Sequence, residues 1–324
     1  MIEFSRHNIR VWSLLGPNGA LSTAAMELGE TNPAVQMMTA DLSNYSGLRR
    51  FGKVYPDRLI NVGIAEQNLI GVAAGLAKEG YVPFANTYAS FCASRCADQI
   101  RVNMAYMKLP IKLIGLSAGL GAGILGATHM AVEDLALMRS LPNITVISPA
   151  DCTEIIKTIL AASRTPDPTY IRFTGPMSMP VVYNEDYDFQ IGKAVPVRPG
   201  QDACILATGS MVYHSLRAAE LLEAKGVSCA VVNMHTVKPL DTEAVDAVLD
   251  RKIIVTVEEA SRIGGLGSAV AEYLARKKTR PYQMILGLPD SFPSAGSYNY
   301  LLEQCRLTGG QIAEDILTAL ERES

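Results

Sequence analysis

The sequence predicts an α/β protein of two domains, each built on a mostly parallel β-sheet flanked by helices. Its 324 residues suit two domains, because one domain usually takes roughly 100–200 residues. Hydrophobic residues make up 48% of the chain and charged residues 19%, so large apolar cores can form. Short apolar runs alternate with helical patterns along nearly the whole length, which is typical of parallel strands joined by crossover helices.

The first half of the chain carries this alternation most clearly. Strands are predicted at residues 34–40, 82–87, 111–117, 144–148 and 169–173, and helices at 64–79, 90–107, 131–140 and 151–163. The helix at 64–79 has small and apolar residues nearly all round, so we expect it to be buried.

A proline-rich stretch at residues 176–200 interrupts the pattern and predicts a linker. The alternation then resumes, with strands predicted at 203–208, 228–233, 252–257 and 283–286 and helices at 211–225, 241–249, 265–277 and 310–322. The predicted domains are therefore residues 1–185 and 192–324.

Charge and composition exclude several classes of protein. A net charge of −3 offers no electrostatic footprint for nucleic acid or an anionic membrane. The uncharged run from Leu113 to Met130 is long enough to span a bilayer, but its glycines weaken a helix, so a buried strand and a glycine-rich loop are predicted instead. The N-terminus lacks the order of a signal peptide, and the scattered cysteines suit reduced thiols, so a cytoplasmic protein is expected. Cys92 and Cys96 lack further ligands nearby, so no metal site is predicted on this chain.

Glu66 is the most informative single residue. It stands at the start of the apolar helix, where the helix N-terminus favours a carboxylate, while the apolar residues after it disfavour the charge. A carboxyl group in that setting could share a proton with a ligand nitrogen. The spacing alone equally permits a capping or interface carboxylate.

Several motifs carry a resemblance to a known family. NVGIAEQN at 61–68, followed by TYASF and ADQIR, resembles the pyrimidine-binding domain of transketolases. GATHMAVEDLALMRSLPN and VISPAD continue the match, and VNMHTVKPLD and EEASRIGGLGSAVAEYLA resemble the C-terminal transketolase domain. The resemblance covers almost the whole chain in the right order, and the length is close to that of the C-terminal subunit of split transketolases.

The resemblance implies thiamine diphosphate as cofactor and assigns roles to individual residues. Glu66 matches the glutamate that bonds N1′ of the aminopyrimidine, which helps to remove the proton from C2 of the thiazolium and so creates the nucleophile that attacks a ketose. Phe91 matches the aromatic residue on which the pyrimidine stacks, with Tyr88 adjacent, although plain core packing is the alternative for Phe91. His129 matches a histidine that orients substrate hydroxyls and assists proton transfer. Asp41 matches an acidic residue near the thiazolium and the subunit contact.

The same resemblance predicts an assembly. Arg95, Asp98 and Gln99 fall on the helix that packs across the subunit interface in this family, so they are interpreted as assembly residues. The Gly-Asp-Gly start and downstream Asn that hold the diphosphate and Mg²⁺ are absent from this sequence. A partner subunit is therefore predicted to supply the diphosphate and Mg²⁺ site. Two copies of each chain, a heterotetramer with a two-fold self-association interface, are expected by analogy.

The substrate rim departs from the family pattern. Family members that use sugar phosphates clamp the phosphate with two arginines, a serine and a histidine. The matching positions here are Asn18, Gly175, Tyr45 and Ser117, and Leu125 stands where the family has an aspartate. A dianionic phosphate needs fixed positive charge or a nest of amides. The exchanges therefore predict an altered donor or acceptor, one that lacks the usual phosphate.

Four alternatives remain open at the level of sequence. Residues 121–126 match GxGxxG, which suggests a dinucleotide site, but no acidic residue ends a second strand at the right distance. An E1 β-type subunit of a 2-oxo acid dehydrogenase has the same two domains and also donates a glutamate, although GATHMAVED favours a transketolase. A deoxyxylulose-phosphate synthase-like enzyme is normally one long chain. A non-catalytic structural subunit would explain the altered clamp but not the intact Glu66, Phe91 and His129.

Overall fold

The computed structural model describes residues 2–323 as a sequence of strands and helices that alternate along the chain. The strands are β1 Val35–Thr39, β2 Leu59–Asn61, β3 Val82–Tyr88, β4 Lys112–Leu116, β5 Thr145–Ile147, β6 Thr169–Arg172, β7 Val195–Arg198, β8 Ala203–Ala207, β9 Cys229–Asn233, β10 Thr236–Lys238, β11 Ile253–Ser261 and β12 Tyr282–Leu288. The helices are α1 Arg6–Thr31, α2 Arg49–Val54, α3 Glu66–Lys78, α5 Asp134–Ser140, α6 Cys152–Ala162, α7 Met211–Glu223, α8 Thr242–Asp246, α9 Leu266–Leu274, α10 Tyr298–Gln304 and α11 Gly309–Glu323. An irregular helix, α4, lies between α3 and α5 and consists of the turns Phe91–Arg95, Ala97–Gln99 and Ile100–Tyr106.

The strands form two sheets, which confirms the predicted α/β class. The first sheet has the order β10-β5-β6-β4-β3-β1-β2, and its strands are parallel except for β10. The second has the order β12-β11-β8-β9-β7 and is parallel except for β7. Central strands such as β1, β4, β8 and β9 are buried along their whole length, as expected when helices cover both faces of a parallel sheet.

The two halves of the chain are joined by more than the linker. Strand β10 belongs by sequence to the second half but pairs with β5 of the first sheet. A fully buried ion pair also lies between the two halves. The Asp134 carboxylate accepts hydrogen bonds from Arg172 Nε at 2.7 Å and from the Tyr170 hydroxyl at 2.8 Å. Arg172 also donates to the backbone carbonyl of Glu259, in β11, at 2.7 Å. The boundaries 1–185 and 192–324 stay predictions.

Helix α1 was not predicted, because Gly16 and Pro17 interrupt its pattern. The helix bends there, with Gly16 at φ +72° in the left-handed region. A Cβ at Gly16 would come within 1.8 Å of the Met177 carbonyl oxygen, so the bend also permits a close approach of two backbones. Helix α1 packs against α6.

Two other predictions needed correction. The predicted linker at 176–200 ends in a strand, β7, which carries Pro196 and lies at the edge of its sheet, where a missing N–H is tolerated. The single helix predicted at 90–107 is instead the broken helix α4, whose first and last turns are π-helical. Such turns insert an extra residue and occur often at functional sites.

The run from Leu113 to Met130 forms most of β4 and a glycine-rich loop, as predicted. Within residues 2–323, no helix combines the length and apolar character that crossing a membrane requires.

Candidate active site

The candidate site lies at the C-terminal ends of neighbouring strands of the first sheet. Asp41 follows β1, Tyr88 ends β3 and Ser117 follows β4. In parallel sheets these ends share one edge, and ligands bind there in open α/β folds. Asp41 and Ser117 both have positive φ, at +61° and +50°. Non-glycine residues in this strained conformation cluster at functional sites.

Glu66 occupies the first turn of α3 and is only 5% exposed. The chain enters this helix through Gly63, whose φ of +75° is in the left-handed region. The Asn61 side-chain oxygen accepts from the backbone N–H groups of Gly63 and Asp41, each at 3.0 Å. Its amide nitrogen donates to the Asp41 carboxylate at 2.9 Å. Asn61 therefore links Asp41 to the turn at Gly63 that leads into α3, a role that the sequence did not reveal.

Arg95 makes the principal contact with Glu66. Its Nη1 donates to Glu66 Oε1 at 2.7 Å, and its guanidinium carbon lies 4.2 Å from the centroid of the Phe91 ring. Residues four apart on a helix are neighbours on one face, which brings Phe91 and Arg95 together. The interpretation of Arg95 as an assembly residue is therefore incomplete, since its side chain points at Glu66 of the same chain. Asp98 and Gln99 stay predictions.

Aromatic side chains form a cluster beside this pair. The Phe91 ring lies 5.0 Å from His129 and 5.6 Å from Tyr88, and Tyr88 lies 5.0 Å from Tyr45, measured between ring centroids. Tyr88 and His129 are also in edge contact at 5.4 Å. Edge-to-face contacts of this kind are favourable between aromatic rings. The structure thus gathers Glu66, Phe91, Tyr88 and His129 around one surface, although they are far apart in sequence.

Hydrogen bonds orient the polar groups of this cluster. His129 Nδ1 lies 3.0 Å from the Thr128 hydroxyl, which gives one nitrogen of the ring a partner. The Tyr45 and Ser117 hydroxyls are 2.7 Å apart. Burial, together with the neighbouring Tyr45, raises the pKa of Tyr88 well above its usual value, so Tyr88 is a neutral hydrogen-bond donor at physiological pH.

Leu125 is the apolar residue that the sequence analysis predicts at the substrate rim. Leu125 lies in the short 3-10 turn Gly123–Leu125, and its side chain is 48% exposed. The second half of the chain supports this turn, because Gly296 N–H donates to the Gly123 carbonyl at 3.1 Å. A Cβ on Gly123 would lie 3.0 Å from the Gly296 carbonyl oxygen and 2.2 Å from Leu301 Cδ1, so the turn packs closely against the C-terminal half. Sequence reasoning missed this support from the C-terminal half.

The four positions that match the phosphate clamp are only partly brought together. Tyr45 and Ser117 are hydrogen bonded to each other. The Asn18 backbone carbonyl lies close to Gly47, two residues after Tyr45, because a Cβ on Gly47 would be 2.5 Å from the Asn18 oxygen. Gly175 is buried and packs beside the glycine-rich loop. The side chains at these positions carry no charge.

Comparison with known proteins identifies the family. The model of the transketolase pyrimidine-binding domain matches residues 18–177, and that of the transketolase C-terminal domain matches residues 192–312. The chain belongs to the transketolase family.

Its similarity to separate transketolase subunits extends over nearly the full length. The chain is 38% identical to the 6-deoxy-6-sulfo-D-fructose transketolase subunit SqwH of Clostridium sp. (strain MSTE9), covering 92% of each protein. It is 38% identical to a putative transketolase C-terminal section of Methanocaldococcus jannaschii, covering 92% of this chain and 94% of that one. It is 36% identical to a subunit of the apulose-4-phosphate transketolase of Phocaeicola vulgatus, with 82% of this chain and 85% of that one covered.

Solved structures agree with this assignment. A structure described as a split gene transketolase, inactive beta4 tetramer, superposes with a TM-score of 0.85 at 38% identity, covering 96% of this chain and 99% of that one. The transketolase of Campylobacter jejuni shares the fold with a TM-score of 0.77 at 20% identity, but this chain spans only 46% of it. The predicted resemblance to the C-terminal subunit of split transketolases is confirmed.

The dinucleotide alternative is not supported by the geometry. Residues 121–126 follow β4 but lead into the 3-10 turn Gly123–Leu125, and the next α-helix, α5, begins only at Asp134. A dinucleotide fingerprint needs a helix N-terminus directly after the glycines, where the pyrophosphate binds.

The site fits one half of thiamine diphosphate. The space between Glu66 and Phe91 already accepts a planar N–H donor, the Arg95 guanidinium, which is hydrogen bonded to the carboxylate and stacked on the ring. An aminopyrimidine presents the same features: a flat π-system with polar groups at its edge. Within residues 2–323, no group of three or more potential metal ligands converges.

Proposed function

We propose that this chain is the catalytic-glutamate subunit of a thiamine-diphosphate-dependent transketolase, which transfers a two-carbon ketol unit from a ketose to an aldehyde. The observation that carries the proposal is the buried carboxylate of Glu66 at the start of α3, which contacts the same guanidinium, that of Arg95, as the aromatic ring of Phe91. The family match supports the cofactor, because the matched domain is the one that binds the pyrimidine.

Each side chain of the site has a proposed task. Glu66 would share a proton with the pyrimidine N1′, and Phe91, with Tyr88 beside it, would hold the ring by stacking. When bound, thiamine diphosphate supplies a carbon nucleophile that can break and form bonds next to a carbonyl. His129 would donate to substrate hydroxyls and move a proton at the reacting oxygen, and Asp41 would lie toward the thiazolium.

The enzyme is proposed to act only with a partner subunit. The chain lacks the sequence signature for the diphosphate and Mg²⁺, so an N-terminal transketolase subunit would supply that half of the site. The relatives that are separate subunits support this division. Two copies of each chain would associate around a two-fold axis, with residues 1–185 as the pyrimidine-binding domain and residues 192–324 as the C-terminal domain.

Substitution of Glu66 tests the proposal. In the complex reconstituted with its partner, we expect Glu66→Gln to lower kcat by about 100-fold or more, in line with the loss of a general acid–base group. Glu79→Gln, at the exposed far end of the same helix, is the matched control and should keep full activity. Full activity in Glu66→Gln would overturn the assignment.

We also propose that the substrate lacks a phosphate where sugar-phosphate transketolases bind one. The neutral Tyr45–Ser117 pair and the apolar Leu125 support this, because a dianion needs fixed positive charge. One relative is named as a 6-deoxy-6-sulfo-D-fructose transketolase subunit, and the sugar in that name carries no phosphate.

A comparison of kcat/KM for phosphorylated and unphosphorylated aldehydes tests this second proposal. The complex should use unphosphorylated aldehydes such as glycolaldehyde or erythrose with a kcat/KM at least equal to that for erythrose 4-phosphate. A strong preference for the phosphorylated aldehyde would contradict it, without touching the role of Glu66.

A further inference from the structure

The Arg95 guanidinium makes both contacts that the aminopyrimidine is proposed to make. Its Nη1 is 2.7 Å from Glu66 Oε1, and its central carbon lies 4.2 Å from the centroid of Phe91. A planar ligand that bonds this carboxylate oxygen and stacks on this face of the ring needs the same space. The arginine and such a ligand therefore exclude each other.

The burial of Glu66 explains why Arg95 occupies the pyrimidine position when the cofactor is absent. The Glu66 side chain is only 5% exposed, so in the empty site its carboxylate needs a nearby N–H donor to replace the water that burial removes. A guanidinium is planar and delocalised and donates several N–H groups, so it can satisfy the carboxylate and the aromatic face together. In the isolated chain the Arg95 side chain is 48% exposed, so the chain's own packing does not lock it against Glu66.

We propose that Arg95 is a positioning residue for cofactor loading. In the cofactor-free chain it holds the Glu66 carboxylate in place and covers Phe91, and it leaves this position when the pyrimidine arrives. This inference rests on the proposed function of Glu66.

The consequence is a measurable cost on cofactor binding. The cofactor must break a half-exposed ion pair before it can bind, and such pairs contribute up to about 1 kcal/mol, or roughly a fivefold change in an equilibrium constant. A residue that only supports the helix, or one that contacts the bound cofactor, would have the opposite effect when removed.

The experiment compares Arg95→Met and Arg95→Gln with the wild-type chain, each reconstituted with the partner subunit. Calorimetric titration with thiamine diphosphate at fixed Mg²⁺ gives Kd, and stopped-flow mixing gives the association rate. We expect Arg95→Met to bind the cofactor about fivefold more tightly, with Arg95→Gln between it and wild type because its amide can still donate to Glu66. Arg101→Met, an exposed arginine further along α4, is the matched control and should leave Kd unchanged.

An unchanged or weaker affinity in both Arg95 variants would overturn the inference. Failure of the wild-type complex to bind thiamine diphosphate would instead overturn the proposed function, so the two outcomes are distinguishable. If Arg95→Met fails to assemble, the Arg95→Gln variant, which keeps a polar side chain, decides alone.

Discussion

Two arginine–carboxylate pairs in this chain have the same bond length and opposite surroundings. Arg95–Glu66 and Arg172–Asp134 are each 2.7 Å long. Both side chains of the second pair are fully buried, whereas the Arg95 side chain is 48% exposed. The second pair is also tied to Tyr170 and to the backbone of β11, so it joins the two halves of the chain. The same bond therefore forms a replaceable contact in one place and a structural junction in the other.

The largest expected effect comes from breaking the buried pair. We expect Arg172→Met to lower the free energy of unfolding by about 3–5 kcal/mol, because it leaves Asp134 charged and buried without its partner. Arg95→Met should cost under about 1 kcal/mol, since water can reach the first pair. Urea unfolding of the isolated chain measures both.

A second variant separates lost charge pairing from lost packing. Asp134→Leu combined with Arg172→Met removes both charges and should recover part of the stability, since buried ion pairs can often be replaced by apolar residues. If Arg95→Met and Arg172→Met lowered the free energy of unfolding equally, the difference in burial between the two pairs would not affect stability.

The fold could be predicted from sequence because its signals are local. Apolar runs such as 111–117 and 203–208 identified buried strands without any knowledge of their neighbours. Local signals failed where the backbone is unusual: Gly16 hides the continuity of α1, and the π-helical turns of α4 have no distinct pattern. Pro196 in the predicted linker concealed β7, because a proline is compatible with an edge strand but is no signal for one.

The site could be predicted only through the family resemblance. Glu66 alone permitted a capping role, and nothing local links it to Arg95, which lies 29 residues away. Arg172 and Asp134 are 38 residues apart and come together only through the tertiary fold. Sequence therefore predicted the chemical groups of the candidate site, whereas the side chains that contact and orient them could be found only in the structure.

A smaller effect extends the comparison to the pH dependence of stability. Glu258, another fully buried carboxylate near the junction, accepts hydrogen bonds from the N–H groups of Leu266 and Gly267 at 2.7 and 2.8 Å. Despite these bonds, burial raises its pKa to about 7 from its ordinary value of 4.5. The folded chain therefore holds a proton that the unfolded chain has already released between these pH values.

The sign of the effect follows from proton linkage. Where the folded state binds more protons, stability falls as pH rises, so the contribution of Glu258 is present below about pH 4.5 and lost through about pH 7. A shift of this size corresponds to on the order of 3 kcal/mol. Glu258→Gln cannot titrate, so the difference in unfolding free energy between wild type and variant, measured by urea unfolding at several pH values, should change by that amount. Any backbone hydrogen bond that the glutamine cannot accept changes the unfolding free energy of the variant by the same amount at every pH. If the unfolding free energies of wild type and variant changed in parallel with pH, the pKa of Glu258 would not be raised by burial. Water would then reach this carboxylate, as it reaches the Arg95–Glu66 pair.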